Sequence, residues 1–130
     1  MPALRSIIEP TDRQRGLSAL GCAQFSQPRT GDGFVEIACF WRVEPGNQMP
    51  ISTKISLRLM NEKGEQVLQS DQIIVASGLP HIPYPKPITA FYMIPLPPSL
   101  PAGSYTLRAI PYTDVEEISP RVVTPVQVRP

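Results

Sequence analysis

Seventeen prolines run through a chain of 130 residues, and they constrain its fold more than any other feature. Proline has no amide proton to give to a helical ladder and costs about 3 kcal/mol in a helix interior. A helical protein of this size has no place for so many. An all-β domain has, because turns, strand ends and edge strands accept proline. The densest clusters are SGLPHIPYPKP at 77–87 and LPPSLPAG at 96–103, and apolar runs separate them.

The strongest of those runs is FVEIACFWRV, residues 34–43. Strand side chains alternate between two faces. Val35, Ile37, Cys39, Trp41 and Val43 therefore share one wholly apolar face, and Glu36 and Arg42 lie on the other. This predicts the central strand of a sheet, with Trp41 its largest buried group. Residues 52–60 alternate most cleanly, with Thr53, Ile55, Leu57 and Leu59 inward and Lys54, Ser56 and Arg58 outward. Asn61-Glu62-Lys63-Gly64 then predicts a tight hairpin turn with Gly64 at positive φ. Further strands are expected at 17–25, 66–76, 88–95, 104–112 and 121–128. Gly21 and Ala23 in the first point to close packing or a bulge. Pro125 in the last argues for an edge.

Residues 1–16 read as an extended lead-in, in which Ile7 and Ile8 could dock on a sheet edge. Residues 17–130 read as one domain. Seven strands with regularly spaced turns predict an antiparallel β-sandwich, immunoglobulin/fibronectin-III-like.

The net charge is +1, and the charges form no run. Nothing here favours nucleic acid or an anionic membrane. No stretch reaches the roughly 18–20 apolar residues of a membrane span, so no membrane insertion is expected. MPALRSIIEPTDRQR is too polar for a secretory signal. If Met1 is the natural start, a cytoplasmic protein is expected. Cys22 and Cys39 are expected as buried free thiols, since free cysteine behaves as a small hydrophobe. A hairpin centred on Pro28–Asp32 would bring them nearly opposite, which leaves a cross-strand disulfide as the alternative. A cytosolic address disfavours that bond.

Enzyme chemistry finds little to work with. His81 is the only histidine, and it reads as a solvated loop residue. No nucleophile elbow, zinc-protease, C-x-x-C or Walker pattern is present. Gly31 and Gly33 lie in a hairpin turn, not ahead of a helix, so they make no phosphate cradle. Glu116 and Glu117 are adjacent and would point apart in extended chain; with Asp114 they are at best a weak calcium loop. We therefore expect no catalytic residues, no metal and no cofactor.

The most distinctive surface stretch is His81-Ile82-Pro83-Tyr84-Pro85-Lys86-Pro87. His81, Tyr84 and Lys86 on its stiff backbone are the candidate contacts for a ligand or partner. The alternative is that Ile82 and Tyr84 cover an open end of the core.

GDGFVEIACFWRV, ISLRLMNEKGEQVLQSDQ and IPLPPSLPAGSYTLRAIPY together resemble a family pattern. It is that of small bacterial β-sandwich domains at the C-terminal ends of membrane glycosyltransferases of the mannosyltransferase type. The matching residues are Gly31, Asp32, Trp41, Asn61, Gly64, Pro95, Pro97, Pro98, Pro101, Gly103, Tyr105, Leu107 and Tyr112, spanning roughly 31–112. The resemblance implies an accessory domain for protein or carbohydrate contact. The expected function is a non-catalytic interaction domain with a protein partner or self-association. Sheet-edge pairing by the N-terminal segment or the final strand is the expected mechanism. The alternative is a carbohydrate-binding module. That reading needs a platform of exposed aromatics, whereas most of the nine aromatic residues read as inward-facing.

Overall fold

The structure is a computed structural model and describes residues 7–9, 17–44, 53–74, 85–112 and 121–130. Within them the chain forms eight strands and no helix: β1 (Ile7–Glu9), β2 (Leu17–Gln24), β3 (Phe34–Val43), β4 (Lys54–Met60), β5 (Gln66–Ile73), β6 (Lys86–Pro95), β7 (Gly103–Tyr112) and β8 (Arg121–Val128). One sheet has the order β1-β8-β7-β4-β5 and the other β2-β3-β6. All strand pairs are antiparallel. The fold is an antiparallel β-sandwich of the immunoglobulin type. It has eight strands rather than the expected seven because Ile7–Glu9 pairs with Val123–Arg121.

The alternation of β3 decides the core. Val35, Ile37, Cys39, Trp41 and Val43 are fully buried. Opposite them stand Ile55, Leu57 and Leu59 of β4, Leu107 and Ala109 of β7, and Val122 and Val126 of β8. Trp41 is the largest side chain wholly removed from solvent. Its indole N–H donates to the Tyr92 hydroxyl at 3.3 Å, and Tyr92 donates to the Ile74 carbonyl at 2.6 Å. A buried polar group left without a partner is costly, and this chain leaves neither ring with one.

Several expectations need correction. Cys22 and Cys39 are not free thiols: they form a disulfide with an S–S distance of 2.07 Å. The cause is a bulge in β2. Ala19 pairs with Trp41 but Gly21 pairs with Phe40, so Leu20 is an extra residue. The extra residue shifts the alternation by one. Leu17 and Ala19 face the core before it, and Cys22 and Gln24 after it. Cys22 thus lands opposite Cys39, on the same face. Gly21 takes the φ of 145° found at this irregularity.

β6 begins at Lys86, not Ile88, so the last two residues of the proline-rich stretch belong to the sheet. β8 is an edge only in part. β1 covers its residues 121–123, while Pro125 lies beyond that cover and pairs only with Thr106 of β7. The N-terminal segment and the final strand, expected to offer edges to a partner, are paired with each other.

Side chains sew the two sheets together at both borders. Gln24 gives its amide N–H to the Gln127 carbonyl at 2.8 Å and accepts the Gln127 amide at 2.9 Å. Thr124 donates to the Cys22 carbonyl at 3.1 Å. At the other border Gln72 donates to the Met93 carbonyl at 2.9 Å. The turn at 28–33 is tied to the chain's last residues: Thr30 donates to the Arg129 carbonyl, and the Arg129 amide to Pro28, both at 2.8 Å.

Candidate functional site

Of the three residues singled out as contacts, His81 and Tyr84 lie outside the described residues. Lys86 is exposed and opens β6 opposite Val43. Residues paired across a sheet share a face, so Lys86 lies on the core-facing side, beyond the end of the core. Asp114, Glu116 and Glu117 also lie outside the described residues. Among the described residues no three His, Cys, Asp or Glu side chains gather in a way that could hold a metal ion. No helix among them is long and apolar enough to cross a membrane.

The feature that stands out is the outer face of the β2–β3–β6 sheet. The same alternation that buries Trp41 turns Phe34, Ala38 and Phe40 outward with Glu36 and Arg42. Register places Phe91 beside Ala38, and Met93 beside Glu36. Phe25 continues β2 onto this face through its amide bond to the Glu36 carbonyl at 3.1 Å. Leu20, pushed out by the bulge, adds a further apolar side chain. All four phenylalanines of the chain are therefore on the surface, with 39% to 67% of each exposed. Leu20 and Met93 are half exposed as well.

The face has internal order. The rings of Phe25 and Phe91 meet edge to face, with centroids 5.5 Å apart and planes 81° apart. They come from the two outer strands and roof Ala38 between them, which is why Ala38 is 94% hidden although it points away from the core. One end of the face is polar. Glu44 accepts from Ser18 at 2.7 Å and from Arg42 Nε at 2.9 Å. These two bonds, Ser18 first, hold the Glu44 carboxyl below its ordinary pKa.

The five-stranded sheet presents the opposite chemistry. Its outer face carries Lys54, Ser56, Arg58, Gln69, Asp71, Arg108 and Tyr112, with Ile110 buried among them and Ile73 exposed on the edge strand β5. Gln69 donates to both Asp71 oxygens, at 3.1 and 3.3 Å, and Arg58 Nε to the Ser56 hydroxyl at 3.1 Å. Burial raises the Asp71 pKa, but hydrogen bonds from Gln69, Ser56 and Tyr112 and the charge of Arg58 outweigh it and hold the carboxyl low. Ser56 points outward as expected but is buried beneath this network.

The expectation that most aromatics face inward is corrected here. Trp41, Tyr92 and Tyr105 are buried, and the four phenylalanines are not. Part of the signal was present in the alternation of residues 34–43, which puts Phe34 and Phe40 on the face of Glu36 and Arg42, while alternation in 88–95 sets Phe91 and Met93 together opposite Tyr92 without fixing which face is outward. What single-strand patterns do not show is that three strands place these residues side by side.

No family model matches the chain, and no curated protein matches it. Solved structures show the fold. The C-terminal domain of Wzt superposes with a TM-score of 0.58 at 11% identity, over 100% of this chain and 80% of that one. A Bifidobacterium dentium β-glucuronidase, complexed with coumarin-3-O-glucuronide, superposes with a TM-score of 0.51 at 12% identity. That match covers 88% of this chain but only 18% of the enzyme. At such identities the likeness is one of β-sandwich architecture. The narrower resemblance to the terminal domains of mannosyltransferase-type enzymes gains no support from it.

Proposed function

We propose that this chain is a non-catalytic interaction domain that docks a protein through the phenylalanine face of its three-stranded sheet. The observation that carries the reading is the clustering of Phe25, Phe34, Phe40, Phe91, Met93 and Leu20 on one exposed surface. Soluble monomers seldom expose contiguous apolar patches of more than a few hundred Å², and larger ones mark contact sites. Phenylalanine and methionine are enriched in protein interfaces, where they supply apolar area without a polar group to satisfy. The large side chains of the patch are apolar and offer contact area rather than acid, base or nucleophile, which supports binding as its use.

The test is capture from the source cells with tagged wild-type chain and with Phe25→Lys, each run in both soluble and membrane fractions. A stoichiometric partner held by the wild type and lost by a folded Phe25→Lys variant is expected. Equal capture by both proteins overturns the reading.

A second reading, carbohydrate binding, is favoured by the polar face rather than the aromatic one. Asp71, Gln69, Arg58 and Tyr112 combine donors and acceptors on a flat sheet surface, the arrangement that sugar hydroxyls need. One of the structural neighbours is a domain within a glycosidase. A glycan panel probed with wild type and Asp71→Asn separates the two readings.

The Cys22–Cys39 bond bears on location. Structural disulfides persist in oxidising compartments and are rare in the cytosol. We infer that the chain works outside a reducing cytosol, against the cytoplasmic expectation. Thiol trapping in intact source cells checks this: alkylation of both cysteines without prior reduction restores the cytoplasmic reading.

A further inference from the structure

We propose that the occupant of the phenylalanine face is a second copy of this chain, seated face to face in a symmetric homodimer. The inference rests on the reading of that face as a docking surface and names its partner.

Area is the first argument. With about 200 Å² for a full side chain of this size, the six large apolar residues expose roughly 600 Å² at the exposures seen here. A standard interface takes about 800 Å² from each partner. In homodimers about 65% of that is apolar, or roughly 500 Å². The face therefore supplies the apolar share of one complete side, and it reaches the upper limit of what an ordinary monomer leaves open.

Self-complementarity is the second. A two-fold contact requires that the surface match itself. An axis lying in the interface and crossing β3 at the level of Cys39 sets the two β3 strands antiparallel across it. Residues equally far from Cys39 then face each other. Glu36 of each copy comes level with Arg42 of the other, opposite charge to opposite charge. Phe40 of each comes level with Ala38 of the other. It meets there the Phe25–Phe91 ring pair that roofs Ala38. Arg42 engages Glu44 through Nε, which leaves the two terminal nitrogens of its fork for a second carboxylate. The outer face of the opposite sheet has a network of charged and amide groups at its centre, and its exposed Ile7 and Ile73 lie apart on the two edge strands β1 and β5, so it holds no comparable cluster.

Sedimentation equilibrium of the full chain, from low micromolar to several hundred micromolar, is the test. A reversible monomer–dimer equilibrium is expected for the wild type. Phe91→Lys should weaken it roughly thirtyfold, the loss associated with a central interface residue. Glu36→Arg should weaken it roughly tenfold. Lys54→Glu, on the far sheet, should leave it unchanged. Thermal unfolding of each variant at monomeric concentration controls for the fold; Phe40→Ala serves if Phe91→Lys does not fold. A wild type that is monomeric throughout overturns the proposal, as does a dimer that ignores both phenylalanine variants. A monomer that still captures a cellular protein through Phe25 discards self-pairing and keeps the docking surface. If neither assay responds to the face, both readings fall.

Discussion

Trp41 of β3 and Tyr92 of β6 sit on the same buried face, four positions apart in register, and the indole N–H of the first donates to the hydroxyl of the second. The pair ties the centre of the three-stranded sheet to the end of β5, because the Tyr92 O–H donates to the Ile74 carbonyl. Tyr92→Phe keeps the ring and removes both bonds. It strands a buried donor and a buried acceptor, and is expected to cost about 2–3 kcal/mol. Urea unfolding followed by Trp41 fluorescence measures it. A loss within error of zero means that the sheets do not need this bridge. Burial keeps the Tyr92 hydroxyl protonated well above its ordinary pKa. The stability this gives is whole below pH 10.0 and declines as pH rises beyond it, a decline that Tyr92→Phe should reduce, the remainder including Tyr105, whose hydroxyl is also held above its ordinary pKa by burial and by Glu62.

The disulfide joins two cysteines 17 positions apart within one hairpin. Loops near this length are worth about 3 kcal/mol through the unfolded state. The double variant Cys22→Ala/Cys39→Ala should lose about that much. Wild type unfolded with and without reductant gives the same comparison without mutation. Coincident unfolding midpoints would show the bond to be energetically silent.

Gly64 has a φ of +80° in the 61–65 turn, where the Asn61 side chain accepts the Lys63 and Glu65 amides at 3.0 and 2.9 Å. A β-carbon there meets nothing within 4 Å. Gly64→Ala therefore tests backbone conformation alone and should cost about 1–2 kcal/mol. A neutral result would mean that the turn readily adopts another form.

Asp71 and Glu44 both have lowered pKa values in the fold. A depressed carboxylate adds stability above its unfolded pKa and loses it as pH falls through the folded one. The unfolded values are near 3.8 and 4.5. The melting temperature should thus hold down to about pH 5 and fall progressively below the mid-fours. Asp71→Asn should flatten the acid side of that curve. An unchanged slope in the variant assigns the acid sensitivity to other groups.

Much of this architecture was legible because period-two patterning acts within single strands. Residues 34–43 and 121–128 read directly as the strands they form, and the inward sets of β3 and β4 followed from alternation. Ile7 and Ile8 read as an edge contact and prove to be a strand. The disulfide was not decidable, because one inserted residue at Leu20 reverses the parity of all that follows in β2. The meeting of Phe25 with Phe91 was hidden for a related reason: they sit 66 positions apart, on strands that never pair with each other. Proline density drew attention to residues 77–87, while the apolar surface had been built elsewhere from outward positions that each looked ordinary alone.

The contrast between the two outer faces also governs how far assembly can go. Joining two copies through their phenylalanines consumes the adhesive side of each, and what remains outside is the Arg58, Asp71 and Gln69 side of both. Among the described residues, a third copy finds no second cluster of that size. Association of this kind ends at two and yields a closed particle clad in hydrated groups, not a growing stack.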